Sequence, residues 1–72
     1  MAADEIKKDM KHITKRFKEL KEELDNVYRQ TLNPDTSAET KRELEKRAGQ
    51  ILDESNKLIN EFSILVEQYT KL

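Results

Sequence analysis

A single histidine and a few neighbouring carboxylates are the side chains of this sequence that could hold a metal ion. Asp9 and His12 stand three residues apart, so in a helix they share one face, as in one half of a carboxylate-bridged metal site. A complete site of that kind needs a second carboxylate–His pair and further carboxylates inside a helical bundle. Because the chain has one His, we expect His12 to be a surface side chain, and we predict neither a metal site nor a cofactor.

Adjacent acidic residues, Glu22-Glu23 and Asp53-Glu54, are the other candidates for chemistry, as a general acid and a general base. Successive residues of a helix point about 100° apart, so neither pair can converge on one substrate atom. The chain also lacks a glycine-rich phosphate loop and a nucleophile with a base at a suitable spacing. The sequence therefore predicts a protein that is not an enzyme.

Lysine is concentrated in the first third of the chain. From Lys7 to Lys21 there are seven Lys or Arg residues and two acids. Spacings of three, four and three predict a lysine stripe on the outer face, opposite the apolar seam, formed by Lys8, Lys11, Lys15 and Lys18. Two interpretations stay open: the lysine stripe is a solvated face, or it binds RNA, DNA, anionic lipid or an acidic protein.

Two runs of mostly apolar residues, spaced alternately by four and three, predict the helices that position these side chains. The first run comprises Ile6, Met10, Ile13, Phe17, Leu20, Leu24 and Val27. The second run comprises Leu44, Ala48, Ile51, Ser55, Leu58, Phe62, Leu65, Tyr69 and Leu72. We predict helix one over about residues 4–32, a loop over 33–36 and helix two over about 37–71, in a single domain of residues 1–72.

Local signals place the loop between these helices. Asn33-Pro34 ends helix one, since proline disfavours helical geometry in the residue before it. The segment from Thr36 to Glu39 matches a capping box, with the Thr36 hydroxyl as the predicted N-cap of helix two and Glu39 reaching back.

So short a loop forces the two helices to pack antiparallel, and this arrangement pairs residues whose numbers sum to about 72. Leu24 then faces Ala48 and Phe17 faces Ser55, so bulky residues meet small ones, as a packed seam requires. The predicted fold is all-α, an antiparallel two-helix hairpin that resembles a coiled coil. The alternative, one continuous rod, would need helical geometry through Asn33-Pro34.

Helix two carries more apolar surface than one neighbouring helix can cover. In the heptad notation abcdefg, the seam occupies positions a and d, and Leu52, Ile59 and Val66 add an apolar column at position e. The predicted partner or dimer interface comprises Leu52, Ile59, Phe62, Val66 and Tyr69. The simplest way to cover it is a homodimeric four-helix bundle, and the competing way is an amphipathic helix from another protein.

Composition narrows the remaining classes. Charged residues make up 40% of the chain, the net charge is −1, and the absence of cysteine excludes disulfides and thiolate metal sites. No apolar run is long enough for a transmembrane segment, so a cytoplasmic location is the default expectation. The predicted function is a small protein–protein interaction module, a dimeric adaptor, chaperone-like or regulatory hairpin; the alternative is a nucleic-acid-binding hairpin dimer that uses the lysine stripe.

One stretch resembles a known family in its amino-acid sequence. Thr40 to Glu45, followed by Ile51 and Asn56-Lys57, resembles the loop and second helix of the syntaxin N-terminal regulatory domain, which has three helices. Any heptad pattern rich in Lys and Glu would supply most of these letters. The sequence therefore identifies no family.

Overall fold

The computed structural model describes residues 3–72 and consists of two α-helices joined by a short loop. Helix α1 spans Ala3–Leu32 and helix α2 spans Ala38–Thr70. The predicted bounds were about 4–32 and 37–71, so α1 begins one residue earlier and α2 is one residue shorter at each end. The described residues contain no β-strand, and the prediction of an all-α helical hairpin is confirmed.

Charge at the ends of α1 agrees with the helix dipole. Asp4 and Glu5 lie in its first turn and Arg29 in its last, where each charge opposes the partial charge of the helix end. Pro34 follows shortly after the last helical residue, Leu32, and it cannot donate the backbone hydrogen bond that a longer helix would require.

The predicted capping box is wrong by one residue. Ser37, not Thr36, is the N-cap of α2, and its hydroxyl oxygen accepts a hydrogen bond of 3.2 Å from the backbone N–H of Thr40. The Thr36 hydroxyl instead donates to the carbonyl oxygen of Gln30 at 2.7 Å, and so satisfies a carbonyl near the end of α1. With Ser37 as the cap, the third helical position belongs to Thr40 rather than Glu39, so Glu39 is displaced from the capping-box position.

The two helices pack antiparallel as a narrow rod. Its Cα dimensions are 53 × 15 × 12 Å and its radius of gyration is 16.4 Å, whereas a compact domain of this length would have about 11 Å. Leu20 and Ile51, which the predicted pairing places opposite each other, are both 1% exposed. The centre of the seam is therefore fully packed.

Burial across the seam is uneven. The four buried apolar side chains all occupy heptad d positions, and they are Ile6, Ile13, Leu20 and Ile51. The a positions from Met10 to Phe62 are half-buried, and Tyr69 is exposed. On a helix, d lies beside g and a lies beside e. Because the d residues are the more deeply buried, the hairpin is closed along its g positions and open along its e positions.

Within residues 3–72, neither helix contains a stretch apolar enough to cross a lipid bilayer.

Candidate protein-binding edge

Ion pairs between the helices close one long edge of the hairpin, which we call the ion-paired edge, formed by Arg16, Glu23, Arg47 and Glu54. The Arg16 guanidinium donates from Nε to Oε2 of Glu54 at 2.5 Å and from Nη2 to Oε1 at 3.0 Å. Nη2 of Arg47 donates to Oε2 of Glu23 at 2.6 Å. All four residues occupy g positions, where side chains of facing helices meet in a coiled coil.

The bidentate pair perturbs both of its members. The pKa of the Glu54 carboxyl lies below its ordinary value, first because Arg16 donates hydrogen bonds to it and then because of the nearby positive charges of Arg16, Arg47 and Lys57. The pKa of Arg16 is raised, chiefly by its hydrogen bonds to Glu54 and to Glu19. Since more than a third of each side chain of the Arg16–Glu54 pair is exposed, solvent screens the attraction, and the pair contributes little to stability.

Among residues 3–72, no ion pair joins the two helices along the opposite edge of the hairpin, which we call the open edge. On α2 it consists of Leu52, Ile59 and Val66, which are 53%, 51% and 38% exposed. On α1 the matching e positions hold exposed polar residues, and these are Lys7, Thr14 and Lys21. An apolar column therefore runs along the rod with no apolar column of α1 to cover it.

The predicted interface residues come together on this edge. Phe62 is half-buried in the seam beside the e column of α2, and Tyr69 lies near the end of α2 with 38% of its surface exposed. Nζ of Lys7 lies 5.8 Å from the centre of the Tyr69 ring, so a cation from α1 reaches the face of this aromatic residue.

The next column of α2 is uncharged as well, a feature that the sequence-based prediction missed. Together the e and b positions from residue 49 to residue 70 form seven exposed positions without any charged side chain, and they are Gly49, Leu52, Asn56, Ile59, Ser63, Val66 and Thr70. In a chain with 40% charged residues, a strip of this length indicates a surface kept free of charge. The signal was present in the sequence as an absence of charge at two heptad positions.

Gly49 marks the end of this strip nearest the loop. A Cβ atom at Gly49 would meet no atom of the chain within 4 Å, so packing inside the hairpin does not require glycine here. Glycine on an exposed helix face lets another backbone approach closely, at a cost of about 1 kcal/mol in helix stability relative to alanine.

A depression of about 660 Å³ lies near the chain ends, where Met10 and Phe62 provide an apolar floor. Its remaining lining residues come from α1, and they are Lys7, Lys11, Thr14, Lys15 and Lys18. Three members of the lysine stripe thus border the opening of the seam instead of pointing away from it, while Lys8 does not line this depression.

A second depression, of about 580 Å³, lies near the loop. Leu24, Val27, Leu44 and Ala48 form its apolar part, and Tyr28, which is 63% exposed, stands at its rim. Tyr28 occupies the last e position of α1, so this depression continues the open edge towards the loop.

His12 lies away from the open edge. It lines a shallow depression near the chain ends together with Asp9, Glu61 and Ile64, and Ile64 is 55% exposed. Among residues 3–72, no three His, Cys, Asp or Glu side chains gather closely enough to hold a metal ion.

No family model matches this chain, and neither a curated protein nor a solved structure matches it significantly.

Proposed function

We propose that this protein is a small, non-enzymatic protein–protein interaction module that binds a partner helix along its open edge. One observation carries the proposal: Leu52, Ile59 and Val66 form a continuous exposed column beside half-buried seam residues. A helix laid along this column would complete the seam, which is the helix-in-groove mode of recognition.

The exposed area of the hairpin supports this interpretation. The chain exposes 5954 Å², whereas a folded monomer of its mass would expose about 4,700 Å². The excess is larger than the roughly 800 Å² that each partner buries in a protein interface of standard size. Burial of three half-exposed aliphatic side chains would supply on the order of 3 kcal/mol before the costs of association.

Two partners fit the proposal, a second copy of this chain and an amphipathic helix of another protein. Two copies joined at the open edge would form a homodimeric four-helix bundle, in which two-fold symmetry covers the same face twice. Such a module would act as an adaptor, a small chaperone or a regulator. The cytoplasm stays its predicted compartment, on the sequence-based grounds given above.

A second candidate function is nucleic-acid binding through the lysine stripe, Lys8, Lys11, Lys15 and Lys18. None of these four side chains has an ion-pair partner within 4.0 Å among residues 3–72, which favours this alternative. It requires an affinity for RNA or DNA that falls steeply as salt rises. Absence of binding to a mixed-sequence duplex at low salt would eliminate it.

The test of the proposed function compares Ile59→Glu with Ile64→Glu. Both isoleucines lie on α2 and are about half exposed, at 51% and 55%, but Ile64 lies outside the open edge. If two copies pair through the open edge, sedimentation equilibrium should show a dimer for the wild type and for Ile64→Glu, and a monomer for Ile59→Glu.

Circular dichroism of the same samples should show similar helix content in both variants. If both variants keep the mass of a dimeric wild type, the open edge is not where two copies meet. A helical wild-type monomer would exclude the homodimer and leave a foreign helix as the partner.

A further inference from the structure

We propose that the open edge takes an amphipathic helix of another protein whose apolar stripe is flanked by Asp or Glu. This inference rests on the proposed function and adds the chemistry of the partner. The apolar column of α2 would be covered by the apolar stripe of the partner, and the lysines of α1 would attract its acids.

Positive charge dominates the α1 side of the open edge between residues 7 and 21. Lys7, Lys11, Lys18 and Lys21 occupy its e and b positions, and the Lys15 side chain joins them in the depression over Met10 and Phe62. No e or b position from residue 7 to residue 21, or from residue 49 to residue 70 on α2, holds Asp or Glu. The acids that follow on α1 form no ion pair with these lysines within 4.0 Å among residues 3–72, and they are Glu19, Glu22 and Asp25.

The lysines also repel one another. Lys7, Lys11 and Lys15 follow at intervals of four, and Lys15, Lys18 and Lys21 at intervals of three, so each lies next to another like charge on the helix surface. Among residues 3–72, none of these five ammonium groups has a carboxylate within 4.0 Å. Carboxylates on a docked helix would turn this repulsion into attraction.

A second copy of the chain supplies fewer carboxylates than these lysines require. In a two-fold pair the open edge faces itself, and the acids at its e and b positions are Asp4, Asp25 and Glu45. Three acids cannot pair with all five lysines, so part of the positive charge stays unpaired. Charge complementarity therefore favours a foreign acidic helix over self-association.

Nucleic acid would also satisfy the lysines, but it would leave the apolar part of the edge exposed. Phosphates can pair with ammonium groups, whereas Leu52, Ile59 and Val66 gain from contact with apolar side chains. A helix that carries both an apolar stripe and acids is the partner that covers both halves of the edge.

The experiment uses the full chain and two synthetic helical peptides about four heptads long. Both peptides carry Leu and Ile at a and d, and they differ only in having Glu or Lys at every e and g position. Like charge keeps each peptide from self-association. Fluorescence anisotropy of the labelled peptides measures binding at low and at moderate salt.

We expect the Glu peptide to bind at least about tenfold more tightly than the Lys peptide, and its affinity to fall as salt rises. The double variant Lys11→Glu/Lys18→Glu should lower the affinity for the Glu peptide about tenfold and raise that for the Lys peptide. The matched control Lys8→Glu/Lys46→Glu makes the same change of net charge at f positions and should keep the wild-type preference. The gain of binding to the Lys peptide is a result that an unfolded variant cannot produce.

Three results would overturn the inference while the proposed function stands or is replaced. Equal binding of both peptides, lost in Ile59→Glu, would show an open edge that takes helices without selecting charge. A dimer that excludes both peptides would assign the edge to a second copy. Binding of a mixed-sequence duplex, but of neither peptide, would favour the nucleic-acid function. If nothing binds and the chain is a monomer unaffected by Ile59→Glu, the proposed function fails together with the inference.

Discussion

Replacement of Ile51 by alanine should destabilise the hairpin far more than the same replacement at Ile59. Both isoleucines lie on α2, within about two helical turns of each other, but Ile51 is 1% exposed and Ile59 is 51% exposed. The chemical change and the gain in helix propensity are identical at the two positions. The difference between the two losses therefore measures burial alone.

The magnitude follows from the packing at each position. Ile51 lies in the closed centre of the seam with Leu20, where an Ile→Ala change costs about 2 to 5 kcal/mol, less a few tenths for the better helix propensity of alanine. Ile59 buries about half of its surface in the lone hairpin, so its loss should stay below about 1 kcal/mol. A core of this size rarely supplies more than about 3 to 5 kcal/mol, so Ile51→Ala should lose most of the free energy of unfolding of the hairpin.

Thermal and urea unfolding followed by circular dichroism provide the measurement. The pair Ile51→Val and Ile59→Val extends the measurement to smaller changes, since Ile→Val in a core costs about 0.5 to 1.5 kcal/mol. For a chain of this length, each kcal/mol lost lowers Tm by roughly 4 to 8 °C. Low protein concentration keeps the hairpin from self-association during these measurements. At higher concentration the loss at Ile59 should grow if a second copy covers the open edge.

Equal losses at the two positions in dilute solution would refute the reasoning. They would mean that the open edge is as buried as the centre of the seam. The assignment of an open and a closed side to the hairpin would then be wrong, and with it the location of the binding surface.

Two further predictions concern the ion-paired edge. Asp9 and Glu61 occupy g positions at the chain ends and line the same depression, so like charges stand where the other two g-position pairs are attractive. Glu61→Lys should therefore raise the free energy of unfolding by about 0.2 to 1 kcal/mol, as measured by urea unfolding. If Asp9→Asn/Glu61→Lys is no more stable than Asp9→Asn alone, the effect belongs to this pair. Because the pKa of Glu54 is lowered by Arg16 from an ordinary value of 4.5, the ion pair contributes stability above about pH 4.5 that is lost as the pH falls through the lowered pKa. The Tm of the wild type should therefore drop more between neutral pH and about pH 3 than that of Glu54→Gln, and an equal drop in both proteins, or a wild-type excess that persists in Arg16→Gln, would contradict this account.

Periodicity made the helices and the seam predictable. Spacing along a helix is a local property, so the alternation of four and three in Ile6 to Val27 and in Leu44 to Leu72 predicts two helices without knowledge of their packing. Asn33-Pro34 predicts the break between them, and the short loop then forces the antiparallel pairing. The exposed column of Leu52, Ile59 and Val66 is also readable, because position e follows each d residue.

The cap of α2 was misplaced because two neighbouring hydroxyl residues compete for it. Thr36 and Ser37 both have a side chain that can cap, and the sequence pattern favoured Thr36 because Glu39 stands three residues later. In the fold, Thr36 donates to Gln30 of α1, and this bond across the loop leaves Ser37 to cap α2. A contact between elements decided what a local motif could not.

Tertiary structure decided which residues close the other side of the seam. The pairing of Arg16 with Glu54 joins residues 38 apart in the chain, and that of Glu23 with Arg47 joins residues 24 apart. These pairs close the g positions, so burial concentrates in Ile6, Ile13, Leu20 and Ile51, and the e positions stay open. The lysines show the same limit. Spacing on one helix placed Lys11, Lys15 and Lys18 away from the seam, whereas in the hairpin they line a depression that Phe62 of α2 also lines. A helical wheel describes one helix, and the surface offered to a partner is defined by two.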